Sequence, residues 1–341
     1  MNTIVRSANA DAIGYAAQLL QSGEIIGMPT ETVYGLAANA LSDMAVQKIF
    51  TAKGRPQDNP LISHIDSMDM LPMVVSAVPK ACFQLAEAFW PGPLTIILPR
   101  AKTLSNAVCA GLDTAAVRMP SHPVALAIIH AAGVPLAAPS ANLSGSPSPT
   151  TAQHVLDDMQ GRIPLIIDGG TADVGVESTV VSLCGAKPLL LRPGRVTQEE
   201  ISAVLDCEVL LADAVLHKMS ETAAAPSPGM KYKHYAPKAN VILIKGSLAA
   251  YNNYVNERAG DGVYRLCFTG EENTTNVPCV TYGSEENAQE QANRIFAALR
   301  ELDALHAVTV YARCPKAQGV ALAVYNRMLR AAAFRVVELS V

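Results

Sequence analysis

The sequence predicts an α/β protein of two domains, the first built on a twisted mixed sheet and the second a smaller Rossmann-like unit. Short apolar runs of strand length alternate with helical segments along most of the chain. The alternation breaks at 223–240, where three prolines and three lysines occur without an acidic residue. With 341 residues, half of them hydrophobic and 16% charged, the chain exceeds one ordinary domain and suits buried cores. We therefore predict a first domain at 1–206, a linker at 207–240 and a second domain at 241–341.

The first domain is predicted to interleave strands and helices around a single sheet. Strands are expected at 23–29, 61–65, 93–99, 115–120, 135–140, 164–170, 174–183 and 188–194. Helices are expected at 42–54, 79–89, 122–133, 151–161 and 196–205. Either Ser42 or Asp43 is the expected cap of the first of these helices, because short polar side chains satisfy free N–H groups there.

The second domain repeats the strand–helix alternation on a smaller scale. Strands are expected at 241–246, 263–268, 307–312 and 334–339, and helices at 248–258, 285–305 and 319–333. One face of the long helix collects its apolar positions, which are Ala288, Ala292, Ile295, Phe296, Leu299 and Leu302. A small Rossmann-like α/β domain follows from this pattern.

Composition and charge exclude several classes of function. The formal net charge of the chain is −4, and residues 1–206 hold 12 Lys and Arg against 17 Asp and Glu, a net charge of −5. This acidic balance argues against nucleic-acid binding as the main task. The seven cysteines form no C-x-x-C pair, a pattern typical of reduced intracellular thiols that disfavours a zinc or thiolate site. No leader peptide and no run of about 18 apolar residues occurs, so we expect neither secretion nor a membrane span. P-loop and G-x-G-x-x-G patterns are also absent.

Polar clusters follow several of the predicted strands. Residues 29–36 (PTETVYGL) expose two hydroxyls and a carboxylate before a glycine allows a turn, and a simple hydroxyl-mediated turn or helix cap is the alternative. In 53–60 (KGRPQDNP), an extended segment would place Lys53 and Arg55 on one side, where they suit polyphosphate oxygens; a solvated surface pair is the alternative. His64 in the next strand is either a binding residue or a satisfied core histidine.

Two further clusters carry charge or hydrogen-bonding capacity into apolar surroundings. Arg118 lies within an apolar strand, so it needs an anionic partner, which is either a substrate carboxylate or a structural ion pair. Ser140 and Asn142 lie two residues apart after a strand, where they can contact an adenine edge or a phosphate oxygen, or simply form a turn. The segments EST (177–179) and RPGR (192–195) at the last strands are weak signals alone.

In this order the clusters resemble the YrdC-like family of threonylcarbamoyl-AMP synthases. The matching stretches are PTETVYGL (29–36), KGRPQDNPL (53–61), AVRMP (116–120), PSANLSGSPSPT (139–150), GVESTVV (175–181), LLRPG (190–194) and SPGMKYKHYAP (227–237). They cover nearly the whole first domain, and the linker with its following α/β domain resembles the long form of the family. Met28, where an aromatic residue is common, is a small departure.

This resemblance implies a fold and a reaction. The implied fold is a twisted mixed sheet with a concave, locally positive cavity. The implied enzyme is a cytoplasmic nucleotidyltransferase that joins L-threonine, bicarbonate or CO2, and ATP into L-threonylcarbamoyladenylate and pyrophosphate. Mg2+ would arrive with ATP and take no ligands from protein side chains. The product would pass to a tRNA threonylcarbamoyltransferase that modifies adenosine 37.

The resemblance also implies roles for individual residues. L-Threonine is expected to contact Thr32, His64, Arg118 and Ser178. ATP is expected to contact Lys53, Arg55, Asn59, Thr114, Ser140, Asn142, Ser148, Arg192, Ser227 and Tyr235, with Lys53 and Arg55 also catalytic. Because the carbamate of threonine can itself attack the α-phosphorus, the reaction needs positioning and charge stabilisation more than a general base.

Two alternative functions remain open, and so does the role of one segment. A carbamoyltransferase of the same fold would carry paired C-x-x-C motifs, which are absent here. A double-stranded RNA-binding module is disfavoured by the net charge of −5 in the first domain, although a weak RNA contact is compatible with a basic cavity. The segment 227–235 is interpreted as a lid over the nucleotide, with an ordered strap that docks the second domain as the alternative.

Overall fold

The computed structural model describes residues 2–218 and 234–339. These residues form two compact units, the first made of 2–144 and 148–215 and the second of 145–147, 216–218 and 234–339. In this part of the chain no helix is long and apolar enough to cross a membrane. The proposed lid segment lies outside the described residues, except for His234 and Tyr235.

The first unit is a mixed α/β structure around one sheet. Its strands are β1 (Ile4–Ser7), β2 (Ile26–Met28), β3 (Gly35–Asn39), β4 (Ile62–His64), β5 (Leu94–Pro99), β6 (Thr114–Arg118), β7 (Leu136–Ala137), β8 (Leu165–Asp168), β9 (Thr179–Ser182), β10 (Leu189–Arg192) and β11 (Leu210–Leu211). Its helices are α1 (Ala10–Gln21), α2 (Asp43–Lys53), α3 (Leu71–Val74), α4 (Lys80–Phe89), α5 (Asn106–Cys109), α6 (Pro123–Ala132), α7 (Ala152–Met159) and α8 (Gln198–Leu205). The sheet order is β1-β8-β2-β3-β7-β4-β6-β5-β9-β10-β11, which confirms the predicted fold class.

Helix α2 has both of its ends set by local sequence. The side chain of Ser42 accepts a hydrogen bond from the backbone N–H of Ala45 at 3.3 Å, so Ser42 is the cap. Gly54 ends the helix with φ 62°, a left-handed conformation that glycine adopts without a steric penalty. The expectation of an extended segment from Lys53 to Arg55 was therefore wrong, because Lys53 is the last helical residue and the chain reverses at Gly54.

Helices α1 and α6 cover one part of the sheet and pack against it through apolar side chains. Their buried residues pack with those of β2 and β8, and the group includes Ala12, Ala16, Leu20, Ile26, Ile128, Ile129, Leu165 and Ile167. Each large aliphatic side chain that is fully buried stabilises the fold by about 1.5–3 kcal/mol. This packing holds strand β2 and therefore fixes the start of the polar segment that follows it.

The second unit contains a separate, fully parallel sheet. Its elements are β12 (Asn240–Lys245), α9 (Leu248–Asn256), β13 (Val263–Cys267), β14 (Cys279–Thr281), α10 (Ala288–Ala304), β15 (Thr309–Arg313), α11 (Ala321–Ala331) and β16 (Val336–Glu338). The order β14-β13-β15-β12-β16 confirms the predicted small parallel α/β domain. It places β15 between β12 and β13, whereas the first two strands are neighbours in dinucleotide-binding domains.

Candidate active site

Strands β4 and β6 run parallel and bring His64 opposite Arg118 at their carboxyl ends. Both side chains are buried. The guanidinium of Arg118 donates through Nε to the carbonyl oxygen of Gly92 at 3.2 Å and through Nη1 to the hydroxyl of Thr32 at 2.9 Å. Its Nη2 lies 2.7 Å from a carboxylate oxygen of Glu31. The segment after β2 thus contacts the end of β6 through two residues of the PTETVYGL motif.

The contacts of Arg118 bear on both interpretations of this residue. Its ion pair with Glu31 is the structural alternative, and it is present. A guanidinium has five N–H donors: Nε and Nη1 each use one in hydrogen bonds to Gly92 and Thr32, and Nη2 faces Glu31 in the ion pair without a well-aligned hydrogen bond. At least one donor therefore remains on each of Nη1 and Nη2, and donors on these two adjacent nitrogens can hold both oxygens of a carboxylate. The ion pair with Glu31 therefore leaves hydrogen-bond donors of Arg118 available to a ligand.

The charges of this group are set by burial and by Arg118. Burial raises the pKa of Glu31, but the charge of Arg118 and its hydrogen bond outweigh that effect and hold the pKa below its usual value. Burial, and then the charge of Arg118, lower the pKa of His64 to about 3. His64 is therefore neutral near pH 7, and its Nδ1–H donates to the carbonyl oxygen of Ile62 at 3.3 Å. The group holds a carboxylate, a guanidinium and a neutral imidazole.

A second buried group joins β5, β9 and β10. The Ser178 hydroxyl lies 2.7 Å from the hydroxyl of Thr95. Arg192 donates through Nη2 to the Ser178 hydroxyl at 3.1 Å. Arg192 also donates through Nε to the carbonyl oxygen of Ser178 at 3.0 Å. This approach needs a glycine at position 194, because a Cβ on Gly194 would lie 2.3 Å from the backbone nitrogen of Thr179. The RPG and EST motifs therefore meet at one place.

Lys53 links two clusters that are distant in sequence. Its Nζ donates to the backbone carbonyl oxygens of Ser140 and Asn142, the latter at 2.5 Å, and lies 3.5 Å from the side-chain oxygen of Asn142. The Ser140 hydroxyl donates to that same side-chain oxygen at 2.5 Å. A β-bridge between Ser140 and Gly35 then connects this loop to the PTETVYGL segment. The ammonium of Lys53 is thus buried beside the loop proposed to contact the nucleotide.

Arg55 and Asn59 lie on the loop that follows α2. Arg55 donates through Nη2 to the carbonyl oxygen of Pro60 at 3.1 Å, which curls the loop around its guanidinium. Asn59 is 1% exposed, yet neither atom of its side-chain amide has a hydrogen-bond partner among the described residues. A buried polar group left without a partner costs about 1–3 kcal/mol. An amide in this state suits a ligand that both donates and accepts.

Ser148 and Thr114 occupy different surroundings. The Ser148 hydroxyl donates to a carboxylate oxygen of Glu177, and both side chains are buried. Thr114 begins β6, four residues before Arg118, and therefore lies about 13 Å away from it along the strand. The structure does not bring Thr114 to the Arg118 group.

The remaining two predicted nucleotide contacts do not belong to the described part of the first unit. Tyr235 is a residue of the second unit, where its ring lies 5.3 Å from that of Phe296. Ser227 lies outside the described residues. Their roles toward ATP stay predictions.

Three residues of these groups had no role in the sequence-based assignment. They are Glu31, Thr95 and Glu177. The two glutamates lie inside motifs that were noted, but a carboxylate was not expected beside anionic substrates. Thr95 could have been found as a lone hydroxyl in the apolar run LTIILP, since a buried hydroxyl needs a partner.

The site combines positive charge with hydrogen-bonding groups in a domain that is acidic as a whole. Its cations are Lys53, Arg55, Arg118 and Arg192, and the carboxylates in contact with its residues are Glu31 and Glu177. No three His, Cys, Asp or Glu residues of the described chain lie close enough together to hold a metal ion, and all seven cysteines are free thiols. Such a site suits a polyanion bound beside a small carboxylate.

Comparison with known proteins agrees with the predicted fold and family. The Sua5/YciO/YrdC family model, described as "Telomere recombination", matches residues 18–194, and the model for the C-terminal domain of threonylcarbamoyl-AMP synthase matches 196–333. The threonylcarbamoyl-AMP synthase of Pyrococcus abyssi is 42% identical, with 96% of this chain and 95% of the relative covered. That of Bacillus subtilis is 44% identical, with 97% and 96% covered. The crystal structure of P. abyssi Sua5 complexed with L-threonine superposes with a TM-score of 0.92 at 40% identity over 100% of both chains.

The fold and the buried cation-rich site define an α/β enzyme of the Sua5/YciO/YrdC class. The second unit separates the long form of this class from its single-domain members. The chain belongs to the threonylcarbamoyl-AMP synthase family.

Proposed function

We propose that this chain forms L-threonylcarbamoyladenylate and pyrophosphate from L-threonine, CO2 or bicarbonate, and ATP. The observation that carries the proposal is the buried Arg118, whose guanidinium keeps one free N–H on each of two adjacent nitrogens. A small carboxylate is the ligand that fits this pair of donors. Family membership supports threonine as the substrate that supplies this carboxylate.

Threonine is placed between the two buried groups of the site. Its carboxylate binds Arg118, and the hydroxyls of Thr32 and Ser178 supply hydrogen bonds to its polar atoms. His64 adds its neutral imidazole at the end of β4 as a further polar contact. Neutral imidazole adds no charge to a site that already holds an ion pair.

ATP is placed along Lys53, Arg55 and Asn59, with the 139–150 loop beside it. The ammonium of Lys53 already lies against two backbone carbonyl oxygens, so it is fixed before a phosphate arrives. The amide of Asn59 gains the partners that it lacks when phosphate oxygens and their water approach. Arg192 and Ser148 complete the nucleotide contacts that we assign to the first unit.

The chemistry of the reaction explains why the site is rich in cations. The threonine ammonium first loses one proton to water, and the free amine then attacks CO2 and forms a carbamate with loss of a second proton. A carbamate oxygen then attacks the α-phosphorus, and the bond from that phosphorus to the pyrophosphate oxygen breaks. Two anions must approach each other in this step, so alignment and fixed positive charge reduce the barrier most. One such electrostatic donor contributes about 10²–10³ in rate.

The chemistry of ATP and of the adenylate product indicates where Mg2+ binds and what must consume the product. Mg2+ binds phosphate oxygens with few protein ligands, and it would neutralise charge on the triphosphate. The described residues contain no cluster of metal ligands, so we place it on ATP. A labile mixed anhydride must be consumed quickly, so we infer transfer to a tRNA threonylcarbamoyltransferase in the cytoplasm, where tRNA is modified. Any contact of this chain with RNA would be weak and secondary, given its net charge of −4.

The two alternative functions are not favoured. Both relatives described above are threonylcarbamoyl-AMP synthases matched along nearly their whole length. An RNA-binding module would expose its cations, whereas Lys53, Arg118 and Arg192 are buried.

The reaction can be tested directly with the purified full chain. Pyrophosphate release is measured with ATP and Mg2+ while L-threonine and bicarbonate are omitted in turn, and the products are identified by mass spectrometry. We expect pyrophosphate and a threonine-containing adenylate with one added carbonyl only when both are present. Equal activity with L-serine or L-alanine, or a requirement for RNA, would overturn the proposal.

A further inference from the structure

Glu31 is a buried carboxylate paired with Arg118, and the proposed function gives it no contact with a substrate. It lies in the segment after β2, and it is 5% exposed. One of its oxygens is 2.7 Å from Nη2 of Arg118. Its side chain is therefore next to the guanidinium that binds the threonine carboxylate in the proposed function.

Part of the hydrogen-bonding capacity of Glu31 is unused. A carboxylate can accept about four hydrogen bonds. Besides the ion pair with Arg118, the backbone N–H groups of Ser121 and of Glu31 itself lower the pKa of this carboxyl, although neither of its oxygens accepts a well-aligned hydrogen bond from the described residues. A well-aligned donor supplied by a ligand would therefore stabilise this buried carboxylate.

We propose that Glu31 recognises the α-amino nitrogen of the amino-acid substrate while Arg118 binds its carboxylate. The inference rests on the proposed function and deepens it. An α-amino acid carries its two charges on groups separated by a single carbon, and the Glu31–Arg118 pair presents the two opposite charges at contact distance. One buried ion pair thereby matches both ends of a zwitterion.

The same contact serves the substrate before and after it reacts with CO2. The ammonium of bound threonine donates to Glu31, and the nitrogen of the carbamate keeps one N–H that still donates to it. Glu31 thus orients the nitrogen while the carbamate oxygen approaches the α-phosphorus. It binds and positions, and no bond to Glu31 forms or breaks.

A purely structural role for Glu31 makes a different prediction, and ligand binding separates the two. Isothermal titration of the full chain is carried out with L-threonine and with (R)-3-hydroxybutanoate, which is threonine without its amino group. The wild type is compared with Glu31→Gln and Glu31→Asp. Glu24→Gln is the matched control, since Glu24 pairs with Lys48 on the surface of the same unit.

We expect Glu31→Gln to weaken L-threonine binding about 10–100-fold, the loss typical of a contact to a charged group. Binding of (R)-3-hydroxybutanoate should stay unchanged or tighten, because no amino group is lost and one negative charge is removed. Glu31→Asp, which keeps the charge, should recover part of the threonine affinity. Glu24→Gln should leave both affinities at the wild-type value.

Equal weakening of both ligands by Glu31→Gln would show that Glu31 only holds Arg118, and would overturn the inference. Unchanged threonine affinity in that variant would overturn it too. Failure of the wild type to bind L-threonine at all would instead contradict the proposed function. Thermal unfolding of each variant identifies any that fail to fold, and Glu31→Asp then carries the comparison.

Discussion

Lys53 donates a hydrogen bond to the backbone carbonyl oxygen of Asn142 at 2.5 Å, although 89 positions separate the two residues. The contact joins the end of helix α2 to the loop after β7. In the function proposed above, an ammonium fixed in this way would not have to be ordered when ATP binds, so its charge would act on the phosphates without an entropy loss at that moment. The same contact explains why a lysine, with a long flexible side chain, is buried here.

The first prediction concerns the catalytic role of Lys53. Lys53→Ala should lower kcat by about 10²–10³, because it removes one fixed charge from the triphosphate. Lys48→Ala is the matched control, since Lys48 lies on the same helix and pairs with Glu24 at the surface. Pyrophosphate release at saturating threonine and ATP measures both variants. A Lys53 variant as active as the Lys48 variant would exclude Lys53 from catalysis.

The limits of sequence-based prediction are clear from particular elements. Helix α2 could be placed because Ser42 and Gly54 are strong local signals at its two ends. Strand β3 was missed because GLAAN has little β-propensity, and it becomes a strand only by pairing with β2 and β7. Strand β1 was missed as well, since its four residues are exposed and show no alternation.

The site shows the same division between local and tertiary information. The sequence places Arg118 in an apolar strand and so requires an anion beside it, but it cannot say which anion. Glu31 answers that question only through the fold, because it follows β2, and the strands β3, β7 and β4 lie between β2 and the β6 strand of Arg118 in the sheet order. Thr114 illustrates the converse, since four residues of sequence separate it from Arg118 and become about 13 Å of extended strand.

The second prediction concerns threonine binding by Arg118. Arg118→Lys keeps the charge opposite Glu31 but loses the paired donors, so it should raise the KM for threonine about 10–100-fold with little change for ATP. The control is Arg195→Lys, because Arg195 is half-exposed and only 3.7 Å from Glu200 at the surface. An unaltered threonine KM in Arg118→Lys would assign Arg118 to the ion pair alone.

The third prediction concerns the pH dependence of stability. The pKa of His64 is about 3 in the folded chain and near 6.5 when unfolded, so the unfolded state binds the extra proton between these values. The free energy of unfolding should therefore fall as the pH decreases below 6.5, by about 1.4 kcal/mol per pH unit. Urea unfolding at several pH values checks this. His64→Gln should flatten the pH dependence, whereas His217→Gln, at an exposed position, should leave it unchanged. Equal slopes in the wild type and both variants would show that His64 does not cause the pH dependence.

The fourth prediction concerns the second unit, where Arg313 and Glu271 form a buried ion pair at 3.0 Å. Arg313 also donates to the carbonyl oxygen of Gly246 at 2.9 Å, and its guanidinium lies 5.3 Å from the ring of Phe268. Arg313→Met leaves a buried carboxylate without its cation and should destabilise this unit by about 3–5 kcal/mol. Adding Glu271→Gln to that variant should restore much of the loss, because the uncompensated charge is then removed.

The measurement for this last variant uses the position of the only tryptophan, Trp90, in the first unit. Circular dichroism reports the unfolding of helices in both units, whereas tryptophan fluorescence reports the unfolding of the first unit alone. Arg313→Met should therefore shift a transition seen by circular dichroism to lower urea concentration. The fluorescence transition should stay near its wild-type midpoint. Lys316→Met is the control, since its ion pair with Glu286 is exposed and such pairs contribute about 0–1 kcal/mol. If Arg313→Met were no less stable than Lys316→Met, the ion pair would contribute nothing to the second unit. If the double variant were as unstable as Arg313→Met alone, the loss would come from the missing guanidinium contacts and not from the charge of Glu271.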